Sequence, residues 1–142
     1  MSTHVWGFFY GGLINPRVMD RLGMTPRHQE LAMLPGFDLR IAPLVNLVRS
    51  PRDVVFGMLM RLTHEQLQNV YGQLKAVYLP EAVLAVDAEG RARPALCYIV
   101  PDMEPGQADA DHVNPLLESA QALGFPEWYV SKIRSYLPAD VG

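Results

Sequence analysis

The sequence predicts an α+β domain with a mixed or barrel-like sheet, on three observations. Apolar runs of strand length fill the chain up to Val100, helix start and stop signals gather after Pro101, and no linker, repeat or low-complexity tract divides the two parts. With 142 residues, the chain is expected to form one domain over residues 1–142. A domain of that size buries roughly 70% of its unfolded surface, so it needs no disulfide or metal to hold it together.

The elements follow in order. His4 to Tyr10 is apolar and aromatic and ends at Gly11-Gly12, which reads as a buried strand stopped by a glycine turn. Asn15 before Pro16 is a helix cap followed by proline at the first helical position, and Gly23 ends that helix. Glu30 to Ile41 is expected as two extended pieces broken at Pro35-Gly36, the second alternating Phe37, Leu39 and Ile41 with polar neighbours. Leu44 to Val48 and Val54 to Leu62 are two further strands separated by Ser50-Pro51. Gly57, inside the second, signals a bulge or a close backbone approach. Thr63 and Gln66 form a capping box for a short helix ending at Gly72. Ala76 to Val86 and Arg91 to Val100 make a hairpin around Asp87-Ala88-Glu89-Gly90. Pro101 to Asp111 is a polar loop, Asn114-Pro115 opens a helix to Leu123, and Phe125-Pro126 begins the last one.

Composition excludes several classes. Apolar residues make up 49% and charged residues 19%, a globular balance, and a formal charge of −3 leaves no basic face for nucleic acid. No apolar run reaches the roughly 18 residues of a membrane span. The start, Met1-Ser2-Thr3-His4, lacks a secretion signal, and the one cysteine, Cys97, cannot pair internally; a cytoplasmic protein is expected. His4, His28, His64 and His112 have no metal-ligand spacing, so neither a metal nor another cofactor is expected. No serine sits in a nucleophile-elbow setting, and Gly11-Gly12 does not extend to a dinucleotide or phosphate-loop fingerprint. Cys97 reads as a buried thiol, and Met58 and Met60 as core filler.

Four stretches, in order from residue 5 to about 137, together resemble the γ-glutamylcyclotransferase-like (AIG2-like) family. They are Phe8-Phe9-Tyr10-Gly11-Gly12-Leu13, Val55-Phe56-Gly57-Met58-Leu59, Tyr78 with the strand after it, and Leu123-Gly124-Phe125-Pro126-Glu127-Trp128-Tyr129. The resemblance implies a small mixed β-barrel with flanking helices and a pocket at the end of the first strand. It also implies that Tyr10, Gly11, Gly12 and Leu13 receive the carboxylate end of a γ-glutamyl group. The loop chemistry agrees: a strand ending in Gly-Gly lets successive N–H groups point into one concavity, although the same pair also makes a plain tight turn.

The chemistry the resemblance implies is an intramolecular attack of the α-amine on the side-chain carbonyl, releasing an amine and 5-oxoproline. A glutamate after the short helix would take the ammonium proton, and such a base must lie within hydrogen-bond reach. This sequence departs there. Leu74 stands at the glutamate position and Tyr71 at that of the preceding aspartate. The nearest downstream carboxylate is Glu81, on the strand face shared with Leu79 and Val83. Buried beside the pocket it would serve as an acid or base with a raised pKa; on a solvent-facing strand it would be ordinary surface. Tyr78 and Tyr98 are further candidates for lining the pocket through their hydroxyls, and Tyr129 is a third. The expected partner is a small molecule, a γ-glutamyl or related amino-acid amide, handled by an enzyme of the amine-lyase or acyltransferase type. The alternatives are a non-catalytic domain binding a small ligand or a protein, and a biosynthetic tailoring enzyme with other chemistry in the same pocket. The sequence specifies no oligomeric state.

Overall fold

The fold is a closed five-stranded barrel with flanking helices, seen in a computed structural model that describes residues 4–42, 44–74, 76–101 and 106–137. The strands are β1 (His4–Phe9), β2 (Gln29–Ile41), β3 (Val45–Thr63), β4 (Leu79–Asp87) and β5 (Ala92–Ile99). A 3-10 turn over Gly12–Ile14 leads into α1 (Pro16–Leu22). Three longer helices follow: α2 (His64–Gly72), α3 (Ala110–Ala122) and α4 (Glu127–Arg134). Around the barrel the order is β1-β3-β2-β4-β5. Neighbours are antiparallel except where β5 meets β1 in parallel at Gly7 and Leu96, so the sheet is mixed as expected. No described helix is long and apolar enough to cross a membrane.

The structure merges what the turn signals divided. β2 runs unbroken through Pro35-Gly36, and β3 joins the stretches expected as separate strands. Pairing passes from Pro35 opposite Val54 directly to Phe37 opposite Arg49. Gly36 therefore faces the whole Ser50-Pro51-Arg52-Asp53 segment, and its φ of 87° makes the kink. The breakers shift the register of one long hairpin rather than ending its strands.

Gly57 is a close approach. A Cβ there would lie 2.1 Å from the Phe9 carbonyl oxygen, so only glycine lets β3 pass the end of β1. The core fills the barrel and its helix-facing wall, with Phe8, Leu39, Leu59 and Met60 at 1% exposure or less.

The caps behave as the residues dictate, with one exception. Asn15 accepts the Arg17 N–H at 3.0 Å and its own amide donates to the Pro115 carbonyl at 3.1 Å, joining α1 to α3. Both halves of the Thr63–Gln66 capping box form. However, α3 starts a turn earlier than Asn114-Pro115. Asp109 is its cap, accepting the Asp111 N–H at 2.9 Å, and Pro115 lies inside the helix.

Asp87 closes the barrel. Its buried carboxylate accepts the amides of Glu89 and Arg91, at 3.0 and 2.9 Å, and the guanidiniums of Arg91 and Arg93, both at 3.1 Å. Asp87 also sits opposite Ala32 of β2, so the β4–β5 turn is fixed where the two hairpins meet. The Arg91 amide foremost, with Arg93 and the Glu89 amide assisting against the opposing effect of burial, holds the carboxyl down from 3.8 to about 2.

Two predictions follow from this frame. Gly57→Ala should cost at least about 2 kcal/mol in urea unfolding, because strand backbone must move. Gly12→Ala, whose Cβ meets nothing within 4 Å, should change stability by less than about 0.5 kcal/mol. Equal effects would show that β1 and β3 are not held this close. The depressed Asp87 carboxyl contributes stability that is fully present above 3.8 and is lost as pH falls through about 2. The stability advantage of wild type over Asp87→Asn should shrink across that interval; an advantage flat with pH would contradict the charge-bonded node.

Candidate functional site

β1 ends against a cavity of about 370 Å³, a volume suited to a small molecule. The end of the strand and the 3-10 turn supply Tyr10, Gly11, Gly12 and Leu13 to its wall. Gly11 has φ −115° and no positive-φ residue lies in the loop, so the concavity is not a nest built from left-handed backbone. Instead, Gly11 lets Val45 come close, a Cβ there lying 3.2 Å from that side chain, while Gly12 opens onto free space. The first internal bond of the turn runs from the Ile14 N–H to the Gly11 carbonyl, so the Gly12 and Leu13 amides precede it and, among the described residues, have no backbone acceptor within the turn.

Aromatic residues form the floor. The Tyr10 hydroxyl donates to the Tyr98 carbonyl at 2.7 Å, tying β1 to β5, and the Tyr78 hydroxyl donates to the Val45 carbonyl at 2.8 Å. Both hydroxyls brace the walls. Tyr98 does not line the cavity with its ring; it stacks behind, 4.1 Å from the Tyr71 ring and 8° from parallel. Burial raises the Tyr10 and Tyr71 phenols well above 10, with Cys97 adding to both, and pushes Tyr78 up to about 12. The interior is a poorly solvated place for a negative charge.

The end of α2 carries Tyr71 and Leu74 to the same wall. The positions at which the resemblance calls for carboxylates thus face the cavity, but with a phenol and an isobutyl group. Neither Leu74 nor a neutral phenol takes a proton from an ammonium.

Glu81 is not in this site. It pairs with Arg49 of β3 beside a separate depression bordered by Phe37, Arg40 and Ile99. Tyr78, just before β4, is the last residue of that segment to reach the cavity, and three residues of extended chain advance about 10 Å. The expectation of Glu81 as the acid or base of the glycine-loop pocket is corrected accordingly. Tyr129 also lies elsewhere, buried on α4 with its ring 5.0 Å from that of Phe56.

Sequence reasoning missed the polar part of the wall, Arg21 from α1, Gln73 after α2 and Asp111 and His112 from α3, together with Pro115 beside them. Arg21 shares a helical face with Val18 and Leu22, a signal that was readable. Asp111 and His112 were hidden by taking Pro115 as a helix start, which left them in a loop. Among the described residues Asp111 is the only carboxylate on the cavity wall, and no three His, Cys, Asp or Glu side chains lie together as a metal group.

No family sequence model matches the chain, and no curated protein does. Solved structures do. A γ-glutamyl cyclotransferase superposes at TM-score 0.80 with 18% identity, over 99% of this chain and 92% of its own. An uncharacterised protein from Homo sapiens gives 0.79 and 18%, over 98% and 91%. A yeast γ-glutamyl cyclotransferase specific to glutathione gives 0.67 and 12%, over 96% of each chain. This protein has the γ-glutamylcyclotransferase-like fold: α+β, with its barrel and flanking helices matched along nearly the whole chain.

The buried thiol behind the floor offers a check. Burial pushes Cys97 up to about 12. At about pH 8 the native protein should react with a thiol reagent at least about a hundredfold more slowly than the denatured chain. Rapid native labelling would mean that β5 opens.

Proposed function

We propose that the protein takes a γ-glutamyl or related small amino-acid amide into the Tyr10–Leu13 cavity, with the ligand carboxylate against the Gly12 and Leu13 amides. The observation that carries this reading is the cavity itself. It lies at the end of β1, between the glycine loop, Tyr78 and the close of α2, in a fold shared with cyclotransferases. Unpaired amides in a poorly solvated wall are good partners for a carboxylate, since each charge-assisted bond is worth about 1.5–3 kcal/mol.

The interior favours binding over ring closure. Cyclisation needs the α-ammonium to lose a proton before its nitrogen attacks the amide carbonyl, and Leu74 takes no proton. Glu81, paired with Arg49 beside another depression, is out of reach of a ligand on the glycine loop. The protein in this reading is a divergent member of the fold in which the pocket persists and the cyclising base does not. Its activity would be ligand binding, or a reaction on the amide that does not depend on that base.

The test measures 5-oxoproline release from a panel of γ-glutamyl amines and peptides, alongside binding of the same compounds by calorimetry. Wild type should bind at least one compound, yet release 5-oxoproline at a rate that Glu81→Gln leaves unchanged. Leu74→Glu, which places a carboxylate on the wall, should raise release at least about tenfold. Turnover lost in Glu81→Gln would restore Glu81 as the base. A folded protein that binds none of the panel would refute the ligand class.

A further inference from the structure

An amino-acid amide brings an α-ammonium as well as a carboxylate, and an ammonium moved out of water needs an acceptor. The cavity interior offers little. Tyr10 and Tyr78 donate their hydroxyls to backbone carbonyls, and Leu74 is apolar. Gln73 turns its amide nitrogen to the Leu22 and Asn69 carbonyls and offers a neutral oxygen; the charged acceptor is on α3. Asp111 lies on its first turn and lines the cavity, and among the described residues its carboxylate forms no ion pair.

Pro115 makes a second acceptor. It lines the cavity four residues after Asp111, on the same helical face. Having no N–H, it cannot donate to the carbonyl one turn back, which is that of Asp111. The same residue therefore presents a carboxylate on the cavity wall and a backbone carbonyl that lacks its Pro115 donor. α1 adds Arg21 to the same wall, so one positive and one negative side chain face the space, as a zwitterion requires.

We propose that Asp111 is the ammonium-binding residue of the cavity, using its carboxylate and its proline-freed carbonyl, and that it selects ligands with a free α-amine. This assignment rests on the cavity reading above and names the ligand group that Leu74 leaves without a partner. Asp111 acts here by holding the ammonium; no proton transfer is assigned to it.

The test is calorimetric titration with γ-glutamylalanine and with glutaryl-alanine, which differs only in lacking the α-ammonium. Wild type should bind γ-glutamylalanine at least about tenfold more tightly. Asp111→Asn should erase most of that preference while leaving glutaryl-alanine affinity within about twofold. Pro115→Ala keeps the charge but returns an N–H to the Asp111 carbonyl, and should reduce the preference by about two- to fourfold. A preference that survives Asp111→Asn, or wild-type affinities that are equal for the two compounds, overturns the assignment and leaves the cavity reading standing. Binding of neither compound by folded wild type removes both.

Discussion

The Phe9 carbonyl packed onto Gly57 is the constraint on which the rest of the structure depends. β1 is short and must pair with β3 on one side and β5 on the other for the barrel to close. The missing side chain at Gly57 lets β3 run flush past its end. The chain then leaves the sheet at a fixed point. There the Tyr10 hydroxyl catches the Tyr98 carbonyl of β5, and the 3-10 turn begins with Gly12 and Leu13 at the cavity. Shifting either strand by a residue would turn the alternate side chains to the other face and dismantle the cavity with the core.

Few polar groups are buried, and three of them are ties rather than chemistry. Asn15 caps α1 while holding the α3 backbone, so two helices of the cavity wall share one residue. Asn46 exchanges two hydrogen bonds with the Val100 backbone, at 2.8 and 2.9 Å, standing in for a strand neighbour beyond the end of β5. Asp87 gathers two amides and two guanidiniums where the hairpins meet. Each satisfies groups that would otherwise be left dry, and an unsatisfied buried group costs about 1–3 kcal/mol. They are also directional, so they specify how the hairpins and helices meet where apolar packing alone would tolerate several arrangements.

The cavity separates two things that a fold carries: a place and a reaction. The place is built by the glycine loop, the end of α2 and the residue before β4. A reaction depends on single groups in reach of a proton, and Leu74 and Tyr71 line this wall without a group that takes one from an ammonium. The charged side chains of the wall, Arg21 and Asp111, are exposed, and solvent lowers the cost of keeping them charged.

By itself, the sequence determined whatever depends on near neighbours. The Asn15-Pro16 and Thr63–Gln66 caps and the turn at Asp87–Gly90 formed where residue type and spacing put them, because their hydrogen bonds close within four residues, and the buried strand ending in Gly11-Gly12 formed where its apolar run put it. Leu74 and Tyr71 were also legible as departures, since the resemblance implies a carboxylate at each of those two positions. Tertiary structure decided the rest. Pro35-Gly36 and Ser50-Pro51 read as strand ends alone, but long-range pairing between β2 and β3 absorbed them as a register shift. Pro115 read as a helix start, whereas α3 opens at the local Asp109 cap and is held at Pro115 by Asn15, a hundred residues away in sequence. Glu81 was placed by the partner that β3 brought to it: alternation gives a side chain its face, whereas the strand packed across that face determines whether it meets a cavity or Arg49.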